Sequence, residues 1–150
     1  MAQYKIGYTT GVFDLFHIGH LNIIQRAKEN CEHLIVGVTT DEEAFRLKGR
    51  NPVIPFDERF EIVQSIKYVD QVVPEDDADK LKAWEKYKFD VIFKGDDWKN
   101  TEKWNNYEDE FSRREVAVVY FPYTKGTSST LLNKVLSEFE SNSLIGNDNE

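Results

Sequence analysis

The chain is poor in cysteine. Cys31 is the only one in 150 residues, so no internal disulfide can form and a disulfide-held scaffold is excluded. No apolar run approaches the ~20 residues that span a bilayer, so no membrane-spanning helix is expected. Neither GxxxxGK[ST] nor GxGxxG occurs, which removes the P-loop and the dinucleotide fingerprint. Basic residues are outnumbered, 19 Lys and Arg against 27 Asp and Glu, for a net charge of −8. Nucleic acid and anionic membranes require a basic patch, so neither is an expected partner. A phosphate-rich ligand must then be held by local cations, helix ends and a metal. No signal peptide is recognisable, and a cytoplasmic protein is expected.

What is present fits one globular domain. A 40% hydrophobic and 13% aromatic composition supports a real core rather than disorder. The pattern alternates short apolar runs with amphipathic stretches. Strands are expected at Tyr4–Tyr8, Leu34–Thr39, Val69–Pro74 (ended by the proline), Asp90–Lys94 and Val116–Phe121. Helices are expected from Leu21, over Asp41–Leu47 with Asp41 or Thr40 as cap, from a capping Asp57, over Ala78–Lys88 and Trp104–Arg114, and near Thr130–Phe139. Lys48–Pro55 reads as a loop punctuated by Gly49, Pro52 and Pro55. Residues 1–140 form the domain, and the polar 141–150 stretch reads as a flexible tail. This alternation implies an α/β fold, a parallel five-stranded sheet covered on both faces in three layers. Ligands of such sheets bind at the carboxyl ends of the strands, near the switch point of the strand order.

The first strand hands over to a helix through Thr9-Thr10-Gly11-Val12-Phe13-Asp14-Leu15-Phe16-His17-Ile18-Gly19-His20. The two histidines, at i and i+3, share a helical face at a helix start. Gly19 leaves room for close approach to the backbone. Helix N-termini carry unpaired N–H groups and positive dipole ends, which suit phosphate. Three readings of His17 and His20 stand here: zinc ligands, a structural pair, or phosphate donors. Zinc needs carboxylates as well, because only His33 and Cys31 remain as softer ligands. Position and spacing favour phosphate.

Gly11–His20 resembles the signature of the cytidylyltransferases, within the paired-histidine nucleotidyltransferase superfamily of Rossmann-like fold. The resemblance continues in order through Lys48, Glu58-Arg59, Tyr68–Val73, Gly95-Asp96-Asp97-Trp98 and Gly126-Thr127-Ser128-Ser129-Thr130. It implies transfer of CMP from CTP to a small phosphate monoester, with glycerol-3-phosphate favoured, giving CDP-glycerol and pyrophosphate for a cell-surface polymer of the capsule or teichoic-acid kind. In that chemistry an anionic phosphate oxygen displaces pyrophosphate in line, so the enzyme's task is positioning and charge neutralisation. The resemblance implies His17, His20 and Lys48 as catalytic residues. It implies nucleotide contacts from Thr10, Gly11, Val12, Phe13, Gly19, Arg59, Gly95, Asp96, Thr124, Gly126, Ser128, Ser129 and Thr130. Asp14, Asp97, Trp98 and Tyr123 are the implied acceptor contacts. It implies Mg²⁺ held through the nucleotide phosphates rather than by a protein metal site. It also implies a homodimer, with Arg59–Val72 near the interface.

Each of these residues also has a plainer role. Asp14 fits a helix cap as well as a pocket wall. Arg59 fits a solvated helix charge or a guanidinium gripping phosphate by two parallel bonds. Asp96 fits a loop cap or an acceptor for a base amino group or ribose hydroxyl. Trp98 fits a local core or the pocket wall. The 126–130 segment fits a capped helix, a phosphate cradle or both, with Lys125 adding charge. Tyr123 stands where the resembled motif has arginine, a charge that Lys94 or Lys125 could replace. Val12 is closer to the choline-phosphate branch, whereas Gly95–Trp98 is closer to the glycerol-phosphate branch. Other acceptors (choline-, ethanolamine- or another polyol phosphate), ATP as donor, and a non-catalytic nucleotide-binding module are the rival readings.

Overall fold

A computed structural model describes residues 2–122 and 129–147, with side chains to residue 140. The elements in order are β1 (Tyr4–Gly11), α1 (Ile18–Glu29), β2 (Cys31–Thr39), α2 (Asp41–Lys48), α3 (Phe56–Gln64), β3 (Gln71–Glu75), α4 (Lys80–Tyr87), β4 (Val91–Gly95), a 3₁₀ turn (Asp96–Trp98), α5 (Glu102–Arg113), β5 (Ala117–Phe121) and α6 (Ser129–Asn147). The five strands form one sheet in the order β3-β2-β1-β4-β5, every pair parallel. The order reverses direction between β1 and β4, which makes their carboxyl ends the switch point.

Strand periodicity explains the two-sided core. Along β2, Leu34, Val36 and Val38 pack with Ile24 and Ala27 of α1 and Val63 of α3. The alternate Ile35 packs with Tyr8, Ile92, Ala83 of α4 and Trp104 and Phe111 of α5. Both faces are therefore dry, and the inner strands read as unbroken apolar runs.

Four local expectations change, each for a physical reason. Lys48 is the last residue of α2 rather than the start of a loop, because Gly49 takes the left-handed C-cap conformation (φ 75°) and closes the helix onto Phe45. Helix α3 begins at Phe56, with Pro55 in the cap position and Asp57 already in the first turn. The amide of Phe56 is satisfied instead by the Asp41 carboxylate at 3.2 Å. Strand β3 runs through Pro74 to Glu75 rather than ending at the proline; it is an edge strand, where proline is tolerated. Helix α6 begins at Ser129 and continues to Asn147, past the expected end at Phe139. Thr40, one of the two expected caps, does cap α2 by accepting from the Glu43 amide at 3.2 Å.

Candidate active site

The β1–α1 corner is closed by the two histidines themselves. His17 is the N-cap of α1, extended at φ −144°, and its Nδ1 accepts from the Gly19 amide at 3.0 Å. The His17 amide in turn donates to Nδ1 of His20 at 3.3 Å. This is a capping box built from imidazoles instead of a hydroxyl and a carboxylate. A backbone amide can only donate, so both Nδ1 atoms are acceptors and both protons sit on Nε2. The rings lie 3.9 Å apart at 30°, and Phe13 and Phe16 flank His20 at 5.4 and 5.2 Å.

These surroundings keep both rings neutral. Burial pushes the pKa of His20 down to about 4, with His17 and Lys48 adding to the effect and Asp14 opposing it. Burial also lowers that of His17. At neutral pH the pair offers two fixed Nε2–H donors and no exchangeable acid, which suits stabilising an anion rather than shuttling protons. Lys48 is exposed on the last turn of α2, near enough for its charge to act on His20.

The chain before α1 is held in an unusual shape. Phe13 and Leu15 are both left-handed, at φ 55° and 51°, a costly state that requires over-determination by neighbours. The Phe13 ring lies over Gly11, where an added Cβ would sit 3.1 Å from it. Between the two strained residues, the buried Asp14 carboxylate accepts from the amides of Val53 and Ile54 at 2.8 and 2.9 Å. Asp14 therefore caps the 50s loop rather than α1, whose cap is His17. Its backbone carbonyl also accepts from the Ser129 hydroxyl, which ties the start of α6 to the same corner.

Arg59 has a different place from the expected phosphate grip. It is 1% exposed, and its guanidinium donates to the carbonyls of Ile54 (2.8 Å), Val12 (2.6 Å) and Thr39 (2.7 Å) and to the Asp41 carboxylate (2.6 Å). Four donor contacts leave it no free fork for a ligand. It instead joins the segment after β1, the end of β2, the start of α2 and the 50s loop.

A cleft opens between these pieces, lined by Val12, Asp14, Lys48, Arg50, Ser129 and Thr130 among others. It brings together expected residues from three separate segments. It also includes Arg50, Asn51 and Asn133, which were not among the expected contacts. Asn133 carries a readable signal, three residues beyond Thr130 and so on its helical face.

The Gly95–Trp98 segment stands at the carboxyl end of β4. Asp96, Asp97 and Trp98 are exposed, and the Trp98 ring rests on the Lys94 ammonium at 4.9 Å. Trp98 is thus surface and not core; the buried indole nearby is Trp104. Thr10, one residue before the end of β1, lies beside Gly37 of β2, and the Gly19 amide donates to His17. Tyr123, Thr124, Lys125, Gly126 and Ser128 lie outside the described residues.

The cytidylyltransferase-like family model matches residues 8–144. Glycerol-3-phosphate cytidylyltransferase of Bacillus subtilis is 34% identical over 137 residues, covering 86% of this chain and 95% of that protein. The Staphylococcus aureus protein of the same name is 33% identical over 135 residues, covering 85% and 92%. Among solved structures, a lipopolysaccharide core biosynthesis protein from Thermoplasma volcanium superposes with a TM-score of 0.68 at 26% identity, covering 83% of this chain and 99% of that one.

Proposed function

The chain belongs to the cytidylyltransferase-like family, and from that premise we propose that it transfers CMP from CTP to glycerol-3-phosphate, releasing pyrophosphate and forming CDP-glycerol. The observation that carries the mechanism is the tautomer of the histidine pair. With both Nδ1 atoms accepting from backbone amides and burial favouring the neutral rings, His17 and His20 present Nε2–H donors at neutral pH.

The acceptor's phosphate oxygen is already anionic, so no base has to activate it. It forms a bond to the α-phosphorus of CTP as the bond to the pyrophosphate oxygen breaks, and the electron pair leaves with pyrophosphate. The two imidazole donors stabilise charge that grows on the phosphate oxygens during this exchange. Lys48 adds a full positive charge from the end of α2. Asp14 and Arg59 act one step back, holding the 50s loop and the β1–α1 corner in register.

In this reading Mg²⁺ would be held through the nucleotide phosphates, beside the charge of Lys48 and the donors of the histidine pair. Among the described residues no group of three or more His, Cys, Asp or Glu converges to cage a metal. When bound, such an ion shields phosphate charge and polarises the P–O bonds. We further propose a cytoplasmic homodimer whose product feeds a cell-surface polymer. Among the described residues no helix is long and apolar enough to cross a membrane.

The test is pyrophosphate release across a panel of nucleoside triphosphates and phosphate monoesters. CTP with glycerol-3-phosphate is expected to give the highest kcat/KM. A higher kcat/KM with choline- or ethanolamine-phosphate, or with ATP, overturns the assignment. Nucleotide binding without pyrophosphate from any acceptor overturns catalysis itself.

A further inference from the structure

Lys94 sits at the switch point on the face of the sheet that α4 and α5 cover. Strands β1 and β4 pair Gly7 with Val91 and Tyr8 with Ile92, and that register continued sets Thr10 beside Lys94. The Thr9 hydroxyl donates to the Phe93 carbonyl at 3.2 Å, which holds the two strand ends together at this level. Lys94 follows Phe93, whose ring packs on the α1 side, so its own side chain lies on the opposite face. There its ammonium stands 4.9 Å from the Trp98 ring centre and 5.8 Å from that of Trp104.

The neighbouring charges do not neutralise it. On the same side, Glu75 and Lys80 form a buried ion pair at 2.7 Å. The second oxygen of Glu75 accepts from the Thr39 hydroxyl at 2.9 Å. Glu75 is therefore fully engaged by its own partners. Among the described residues no carboxylate lies within 4.0 Å of the Lys94 nitrogen. The buried carboxylate on this side, Glu75, is thus paired with Lys80, and Lys94 has no ion-pair partner among the described residues. Burial and the nearby Lys80 push the Lys94 pKa down to about 8, with Lys103 of α5 acting in the same direction and Glu75 and Asp97 against it. A half-buried ammonium that lacks a counter-ion is unfavourable by itself and becomes favourable when an anion arrives.

We propose that Lys94 contacts a substrate phosphate at the switch point and so helps to set which phosphate compound the site accepts. The proposal rests on the cytidylyltransferase reading above. The reaction brings two anions together, a triphosphate and a phosphate monoester. In-line displacement places the incoming oxygen and the leaving pyrophosphate on opposite sides of the reacting phosphorus. His17, His20 and Lys48 come from α1 and α2, the first of which packs on one face of the sheet. Lys94 lies on the other face, beside the ion-paired Lys80. An anion held there lies at the carboxyl ends of β1 and β4, on the face opposite α1, and the kinetics of each substrate decide which of the two anions it is.

The test compares Lys94→Met, which keeps the apolar stem, with Lys94→Arg, which keeps the charge. Lys94→Met is expected to raise KM for one phosphate substrate about 10–100-fold, as for loss of a charge-assisted contact, with Tm close to wild type. Lys94→Arg is expected to stay within about threefold. A KM rise confined to glycerol-3-phosphate assigns the contact to the acceptor, and one confined to CTP assigns it to the nucleotide. Unchanged KM for both, or a lowered Tm with unchanged kinetics, overturns the proposal. A second measurement needs no variant: acetic anhydride labelling of the wild type, read residue by residue by mass spectrometry. Glycerol-3-phosphate or CTP is expected to slow acetylation of Lys94 but not of the exposed Lys82, and equal labelling with and without both overturns the contact. Wild type that releases no pyrophosphate from any pair defeats the functional reading; active wild type with an unchanged Lys94→Met defeats only this proposal.

Discussion

The backbone amide of His17 sets the tautomer of His20 by donating to its Nδ1, while Nδ1 of His17 accepts from Gly19 within the same turn. One pair of residues thereby starts a helix and presents two Nε2–H donors. The structural role and the proposed chemical role fall on the same two residues, so simple deletion confounds them.

His17→Asn separates the two roles. Asparagine is a good N-cap but lacks the far ring nitrogen. The variant is expected to keep Tm within a few degrees of wild type and to lose ~10²–10³-fold in kcat. His17→Ala is expected to lose that activity and about 0.5–2 kcal/mol of stability as well. Thermal melts beside pyrophosphate-release kinetics check both. A fully active His17→Asn removes the donor role.

Acidification is expected to destabilise the fold through His20. Its folded pKa, about 4, lies below the ordinary histidine value, so the folded state resists protonation more than the unfolded chain does. The stabilisation is complete above the unfolded pKa of about 6.5 and is lost as pH falls from there towards about 4. Wild type is expected to lose Tm from pH 7 to 5 more steeply than His20→Gln, as followed by circular dichroism.

Arg59 is expected to matter for folding before function. Arg59→Leu orphans three carbonyls and the Asp41 carboxylate, at a cost of about 3–5 kcal/mol in urea denaturation. Arg59→Lys is not expected to rescue it, since one ammonium cannot reproduce the planar fork.

Lys48→Ala tests the opposite case. The residue is exposed at a helix end, so Tm is expected to move by no more than about 1–2 °C. Turnover is expected to fall by ~10²-fold or more, as for loss of a transition-state cation. Normal kcat removes Lys48 from the mechanism.

Asp14→Asn is expected to loosen the 50s loop. One of the two amides of Val53 and Ile54 then faces an NH₂ group instead of an oxygen, at about 1–3 kcal/mol. Hydrogen exchange at those two amides is expected to rise, together with KM for the substrates.

The sheet was legible because its strands are buried on both faces, as Leu34–Val38 shows. The histidine corner was legible because its partners are three residues apart. Arg59 was not. Its carbonyl partners at Val12 and Thr39 lie 47 and 20 residues away, and no local pattern encodes them. Lys48 was placed in a loop because Gly49 signals a break without saying whether a helix runs up to it. The role of Asp14 was missed for the same reason as that of Arg59, since its partners lie 39 and 40 residues away.

Pro74 in the outermost strand has a bearing on how copies of the protein can meet. A proline offers no amide hydrogen, so a further strand laid along that margin would find a rung missing. Sheet-to-sheet polymer growth from this side is thereby blunted, and any lasting association between copies is steered towards side-chain surfaces instead.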